Sequence, residues 1–100
     1  MKKNIIHLKF IGKMYLILVY DVNVERTNKV MKICREYLNH VQNSVFEGEI
    51  SGSNLTNLKM RINKIINKEE DSIMIYYLYF DKYSKKEILG KDKNNCGNFV

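Results

Sequence analysis

The sequence predicts an α+β protein, a ferredoxin-like βαββαβ sandwich in which two helices cover one face of a four-stranded antiparallel sheet. Three observations lead there. Tyr15 to Tyr20 and Ser72 to Tyr79 are dense in apolar, β-branched and aromatic residues; two stretches between them carry apolar residues at helical spacing; and the two halves of the chain echo each other as strand, helix and strand. With 100 residues and 11.9 kDa, the chain can build one core.

Each element has its own signal. Tyr15-Leu-Ile-Leu-Val-Tyr20 is an unbroken apolar run that ends at Asp21, the pattern of a strand buried on both faces. Val30, Ile33, Cys34, Tyr37 and Leu38 then define an amphipathic helix over about 24–38, with Lys29, Lys32 and Arg35 on its polar side. Val41 to Ile50 alternates as strand residues do, and Asn43-Ser44 is placed to fold it into a hairpin. Ser51-Gly-Ser-Asn54 is a loop in which Ser53 or Asn54 can cap the next helix. That helix has Leu55, Leu58, Ile62, Ile65 and Ile66 as its apolar stripe and carries Lys59, Arg61, Lys64 and Lys68. The turn Glu69-Glu-Asp71 leads into the last core strand.

Residues 1–13 have no committed period and read as an extension ahead of a 14–80 domain; 81–100 form a polar tail. The tail ends in Gly97-Asn-Phe99-Val100, apolar enough to dock as a short fifth strand. Neither the first nor the last core strand has a polar face, so a second copy is expected to cover the open side of the sheet.

Composition narrows the class. Hydrophobic residues at 45% and charged residues at 28% exclude a disordered chain, and two cysteines exclude a disulfide framework or a CxxC zinc site. The longest apolar run, Met14 to Tyr20, is too short for a membrane span, and Lys9 and Lys13 interrupt any signal core, so a cytoplasmic protein without a membrane partner is expected. The net charge of +6 comes from the ends: residues 14–80 carry eight basic and eight acidic side chains, whereas residues 1–13 carry four Lys and no acid. Nucleic-acid binding therefore has to be argued from position. Doubled in a dimer, the basic faces of the two helices would form a sequence-blind phosphate-binding surface.

Met14-Tyr-Leu-Ile-Leu-Val-Tyr-Asp-Val22, Val41-Gln-Asn-Ser-Val-Phe-Glu-Gly48 and Asp71-Ser-Ile-Met-Ile-Tyr-Tyr-Leu78, in this order, resemble the CRISPR-associated protein 2 family, the small dimeric partner of the spacer-acquisition integrase. The resemblance implies a homodimer with sheets packed face to face and a fifth strand near the carboxyl end, here placed at Phe99. It implies that Asp21 is the acidic residue that ends the first strand, faces its twin across the dimer axis and is associated with magnesium, manganese being the other candidate. It further implies phosphodiester cleavage of RNA or DNA, or a non-catalytic bridge gripping duplex DNA beside the integrase subunit. Arg26 matches the basic residue after the first strand, and Ser44 and Phe46 match the Ser-Val-Phe signature. His40 stands where the family often has Arg.

Simpler readings compete. Asp21 could only cap the following helix. The aromatics, Phe46 included, could form core or dimer interface, or be base-stacking platforms of a sheet-surface RNA-binding module without catalysis.

Overall fold

The structure is a computed structural model and describes residues 14–79 and 82–93. Its elements run β1 (Met14–Asp21), α1 (Val24–Tyr37), β2 (Asn39–Gln42), β3 (Val45–Ile50), α2 (Gly52–Ile65), β4 (Ser72–Tyr79) and β5 (Lys82–Gly90). The strands form one antiparallel sheet in the order β2-β3-β1-β4-β5. The first four are the ferredoxin-like arrangement the sequence predicted, with β1 central because its apolar run tolerates neighbours on both edges.

Strand alternation divides the sheet into two faces. Leu16, Leu18 and Tyr20 of β1, Phe46 and Ile50 of β3, and Ile73, Ile75 and Tyr77 of β4 are buried beneath the helices. They meet Val30, Ile33 and Cys34 of α1 and Leu55, Leu58 and Ile62 of α2 in one core. Asn23 caps α1 and Ser51 caps α2, Ser51 Oγ accepting from Asn54 N at 3.2 Å, so the second cap lies two residues ahead of its expected place.

The other face carries Ile17, Val19, Val45, Met74, Tyr76, Leu78 and Ile88, all half-buried, with Tyr15 exposed. No helix covers it. This is the apolar second face that the sequence led us to expect.

The fifth strand is β5, within the segment read as a polar tail and ahead of Gly97–Val100, which, like Phe99 itself and residues 1–13, lies outside the described residues. Its exit is fixed closely. Gly90 has φ +85°, and a Cβ there would stand 2.3 Å from the Asp71 carbonyl oxygen, which accepts from Lys91 N at 2.7 Å. Among the described residues, no helix is long and apolar enough to cross a membrane.

Candidate active site

Alternation along β1 that buries Tyr20 turns Asp21 outward at the end of the strand, its side chain 65% exposed. Asp21 does not cap α1. That task falls to Asn23, whose side-chain oxygen accepts from Glu25 N, leaving the Asp21 carboxylate free of the helix. Lys93 is its partner: the ammonium lies 3.5 Å from Asp21 Oδ2 and donates to the Asp21 carbonyl oxygen at 3.1 Å.

Beside Asp21 is a shallow concavity of about 480 Å³, lined by Tyr20, Val22, Thr27, Asn28, Met31, Asn43 and Ser44 as well as Asp21 itself. The hairpin between β2 and β3 closes one side. Asn43 adopts φ 41°, a left-handed turn conformation that Asn tolerates, and Tyr20 N donates to the Ser44 carbonyl at 3.1 Å. Two of the sequence candidates, Asp21 and Ser44, thus share one wall. Burial raises the Tyr20 hydroxyl above its ordinary value, and it pushes the Cys34 thiol up to about 12, so neither supplies an anionic nucleophile near neutral pH.

Of the places open to Phe46, core, dimer interface or stacking platform, it takes the core in this chain. It is fully buried, with the His40 ring stacked on it at 4.5 Å and Tyr20 at 6.1 Å. A base or a partner subunit cannot reach it, so it serves neither as stacking platform nor as interface residue; it packs the hairpin onto β1. His40 also fixes the hairpin, its Nε2 donating to the Asn43 carbonyl at 2.6 Å.

The basic candidates divide into two groups. Arg26 is taken by carboxylates: Nε lies 2.5 Å from Asp71 Oδ2, and Nη2 lies 2.8 Å from Glu70 and 3.1 Å from Asp71 Oδ1. Lys59 is held by Glu87 at 3.0 Å and by the Tyr77 hydroxyl, and Arg61 by Glu36 at 2.7 Å and the Tyr37 hydroxyl. Burial alone would raise the Glu87 carboxyl; the Tyr77 hydroxyl and Lys59 overcome this and hold it below its usual value. In the folded chain these three cations are held by carboxylates. Lys29, Lys32, Arg35, Lys64 and Lys68 have no ion pair among the described residues. Lys29, Lys32 and Lys64 line a groove of about 450 Å³ between α1 and α2.

Asp71, a heavily bonded buried carboxylate, was missed as a site-shaping residue, because it reads as a solvated turn. It is fully buried and accepts from Asn23 N and Asn67 N, each at 2.8 Å, in addition to Arg26. Burial alone would raise its carboxyl; Arg26 and the two backbone N–H groups bring it down to about 2. The Asp71 hub ties the start of α1 to the entry of β4, and so fixes the end of β1 where Asp21 sits.

No group of three or more His, Cys, Asp or Glu side chains able to hold a metal occurs among the described residues. The donors at Asp21 nevertheless suit a hard cation, being a carboxylate and a carbonyl oxygen that already hold an ammonium as a stand-in. Magnesium takes one or two carboxylates and completes its shell with water and phosphate oxygens, so two copies of Asp21 would be enough.

A two-layer α+β sandwich with an exposed carboxylate at the end of its central strand, a concavity beside it and an apolar open face is a small ferredoxin-like protein. The particular family follows from comparison. The family model described as CRISPR associated protein Cas2 matches residues 14–86, and the chain belongs to that family. A Dictyoglomus turgidum protein named CRISPR-associated endoribonuclease Cas2 is 52% identical over 81 residues, covering 81% of this chain and 93% of that one. A Methanocaldococcus jannaschii protein of the same name is 48% identical over 98% of this chain and 86% of its own length. A solved structure titled "Crystal structure of cas2" superposes with a TM-score of 0.65 at 44% identity, covering 88% of this chain and 99% of that one.

Proposed function

We propose that this chain acts in CRISPR spacer acquisition as a homodimer that binds duplex DNA together with the integrase subunit and cleaves phosphodiester bonds, in RNA or DNA, at Asp21. The observation that carries the catalytic part is the placement of Asp21: a carboxylate outside the core, not used as a helix cap, on the wall of a shallow concavity. Relatives at about half identity bear the name endoribonuclease, which supports the same reading.

The open apolar face supports dimerisation, because a face of Tyr15, Ile17, Val19, Met74, Tyr76 and Leu78 left in water is unfavourable by roughly 25 cal/mol for each Å² that a second copy would cover. Asp21, Ile17 and Val19 alternate onto that same face, so pairing of two sheets would bring two Asp21 carboxylates toward each other. Magnesium or manganese, when bound, supplies a Lewis acid for the phosphoryl oxygen and an activated water. The chain's own part is to present Asp21, and to line the adjoining wall with Asn28, Asn43 and Ser44 as neutral hydrogen-bonding groups for a sugar-phosphate. Nucleic acid held along its backbone falls to the lysines that have no ion pair among the described residues and line the groove between the helices, Lys29, Lys32 and Lys64.

The test is to incubate purified protein with RNA and with DNA, with magnesium and with manganese, and to assay complex formation with the integrase subunit in parallel. Cleavage that requires the metal supports the catalytic reading. Complex formation without cleavage under any of these conditions would leave the bridging role and remove the nuclease.

A further inference from the structure

The end of the sheet is constructed so that a lysine comes to rest on Asp21. Asp21 pairs with Ser72, and Ser72 pairs with Gly90, so the end of β1, the start of β4 and the end of β5 lie in one row. Gly90 has no Cβ to clash with the Asp71 carbonyl, and Lys91 N donates to that same carbonyl, which turns the chain leaving β5 back across the row. Three residues past the strand, the Lys93 ammonium meets both oxygen types that Asp21 offers, the carbonyl at 3.1 Å and the carboxylate at 3.5 Å.

We propose that Lys93 is the resident counter-cation of the Asp21 site, so that a divalent ion binds there by displacing the ammonium from the Asp21 oxygens. This deepens the proposed function and rests on its reading of Asp21 as a metal ligand. The physical reason is competition for one donor set. A divalent ion on the Asp21 carboxylate and the ammonium cannot share the same two oxygens at these distances, and like charge drives them apart. The exchange is feasible because both side chains are partly in water, 31% exposed for Lys93 and 65% for Asp21, and a pair of that kind is held weakly. The lysine spares the apo protein a bare carboxylate and makes a weak site weaker, so that the ion is held more tightly once phosphate oxygens complete its shell.

The experiment is manganese binding followed by electron paramagnetic resonance of the free ion, on the full chain and without nucleic acid. Four proteins are compared: wild type, Lys93→Met, Asp21→Asn and the double variant. Lys93→Met keeps the length of the stem without the charge, and is expected to tighten manganese by about two- to fivefold, the range given by the loss of an exposed ion pair. Asp21→Asn should weaken binding, and adding Lys93→Met to it should change nothing further, since the effect of Lys93 passes through that carboxylate. If Asp21→Asn weakens binding but Lys93→Met leaves it unchanged or weaker, the counter-cation is refuted while Asp21 stays a ligand. If Asp21→Asn binds manganese as the wild type does, or if neither wild type nor Lys93→Met binds it, Asp21 is no ligand and both readings fall.

Discussion

Two aspartates lie at the same end of the sheet, Asp21 closing β1 and Asp71 immediately ahead of Ser72, the residue that pairs with Asp21, and their surroundings are opposite. Asp71 is fully buried and saturated by two backbone N–H groups and the Arg26 guanidinium. Asp21 is exposed, and the ion pair seen for it is with one displaceable ammonium. A carboxylate with its acceptor capacity filled holds structure together and has nothing left for a ligand, whereas one that is under-coordinated beside a concavity has capacity to spare. The same residue type, at one end of one sheet, is thus saturated in one place and left accessible to a ligand in the other.

The largest effect is expected at the buried member. Asp71→Ala leaves the Arg26 guanidinium with only peripheral partners and takes the acceptor from the Asn23 and Asn67 N–H groups, and should cost about 3–5 kcal/mol in denaturant unfolding. A cost below about 1 kcal/mol would erase the contrast between the two aspartates. The same residue sets an acid limit. Because its folded value, about 2, lies below the ordinary 3.8, its contribution is complete above about pH 4 and is lost as pH falls toward 2. Acid unfolding of the wild type should therefore show this loss in that window, and Asp71→Asn should flatten it.

Gly90→Ala sharpens the comparison from the side of β5, since the new methyl would meet the Asp71 carbonyl at 2.3 Å on a residue with φ +85°. A loss of about 1–3 kcal/mol is expected, read as a lowered midpoint of unfolding. A silent substitution would show that the β5 exit is not fixed as described.

Smaller still is the effect expected of Lys29, Lys32 and Lys64 replaced together by Gln. Stability should stay within about 0.5 kcal/mol of wild type, as for surface positions without ion-pair partners. The dependence of duplex DNA affinity on salt should become shallower, by up to about 0.9 for each phosphate that the variant no longer neutralises. An unchanged slope would move the phosphate-binding surface away from the helix groove.

Much of this was readable in the sequence. Strands β1, β3 and β4 and both helices were legible because their apolar residues show the pattern, and Asp21 stood out because it matches the acidic residue that ends the first strand in the family the chain resembles. β5 was hidden by its composition: Lys82, Lys85, Lys86 and Glu87 make an edge strand look like a tail. The roles of Asp71, Arg26, Lys59 and Arg61 were not legible, because each is defined by partners far along the chain, as in the contact of Arg61 with Glu36 or of Asp71 with Asn23, 48 residues away. Charge can be counted from sequence, but which charges are already neutralised is a property of the fold.

The central claim, that Asp21 is the chemical carboxylate and not a structural one, is tested most directly by Asp21→Asn, assayed for metal-dependent phosphodiester cleavage and, without metal, for thermal unfolding. Asn keeps the size and one oxygen but removes the charge. The account predicts that cleavage falls by orders of magnitude while the unfolding temperature stays close to that of the wild type. An Asp21→Asn protein that cleaves at the wild-type rate would contradict it.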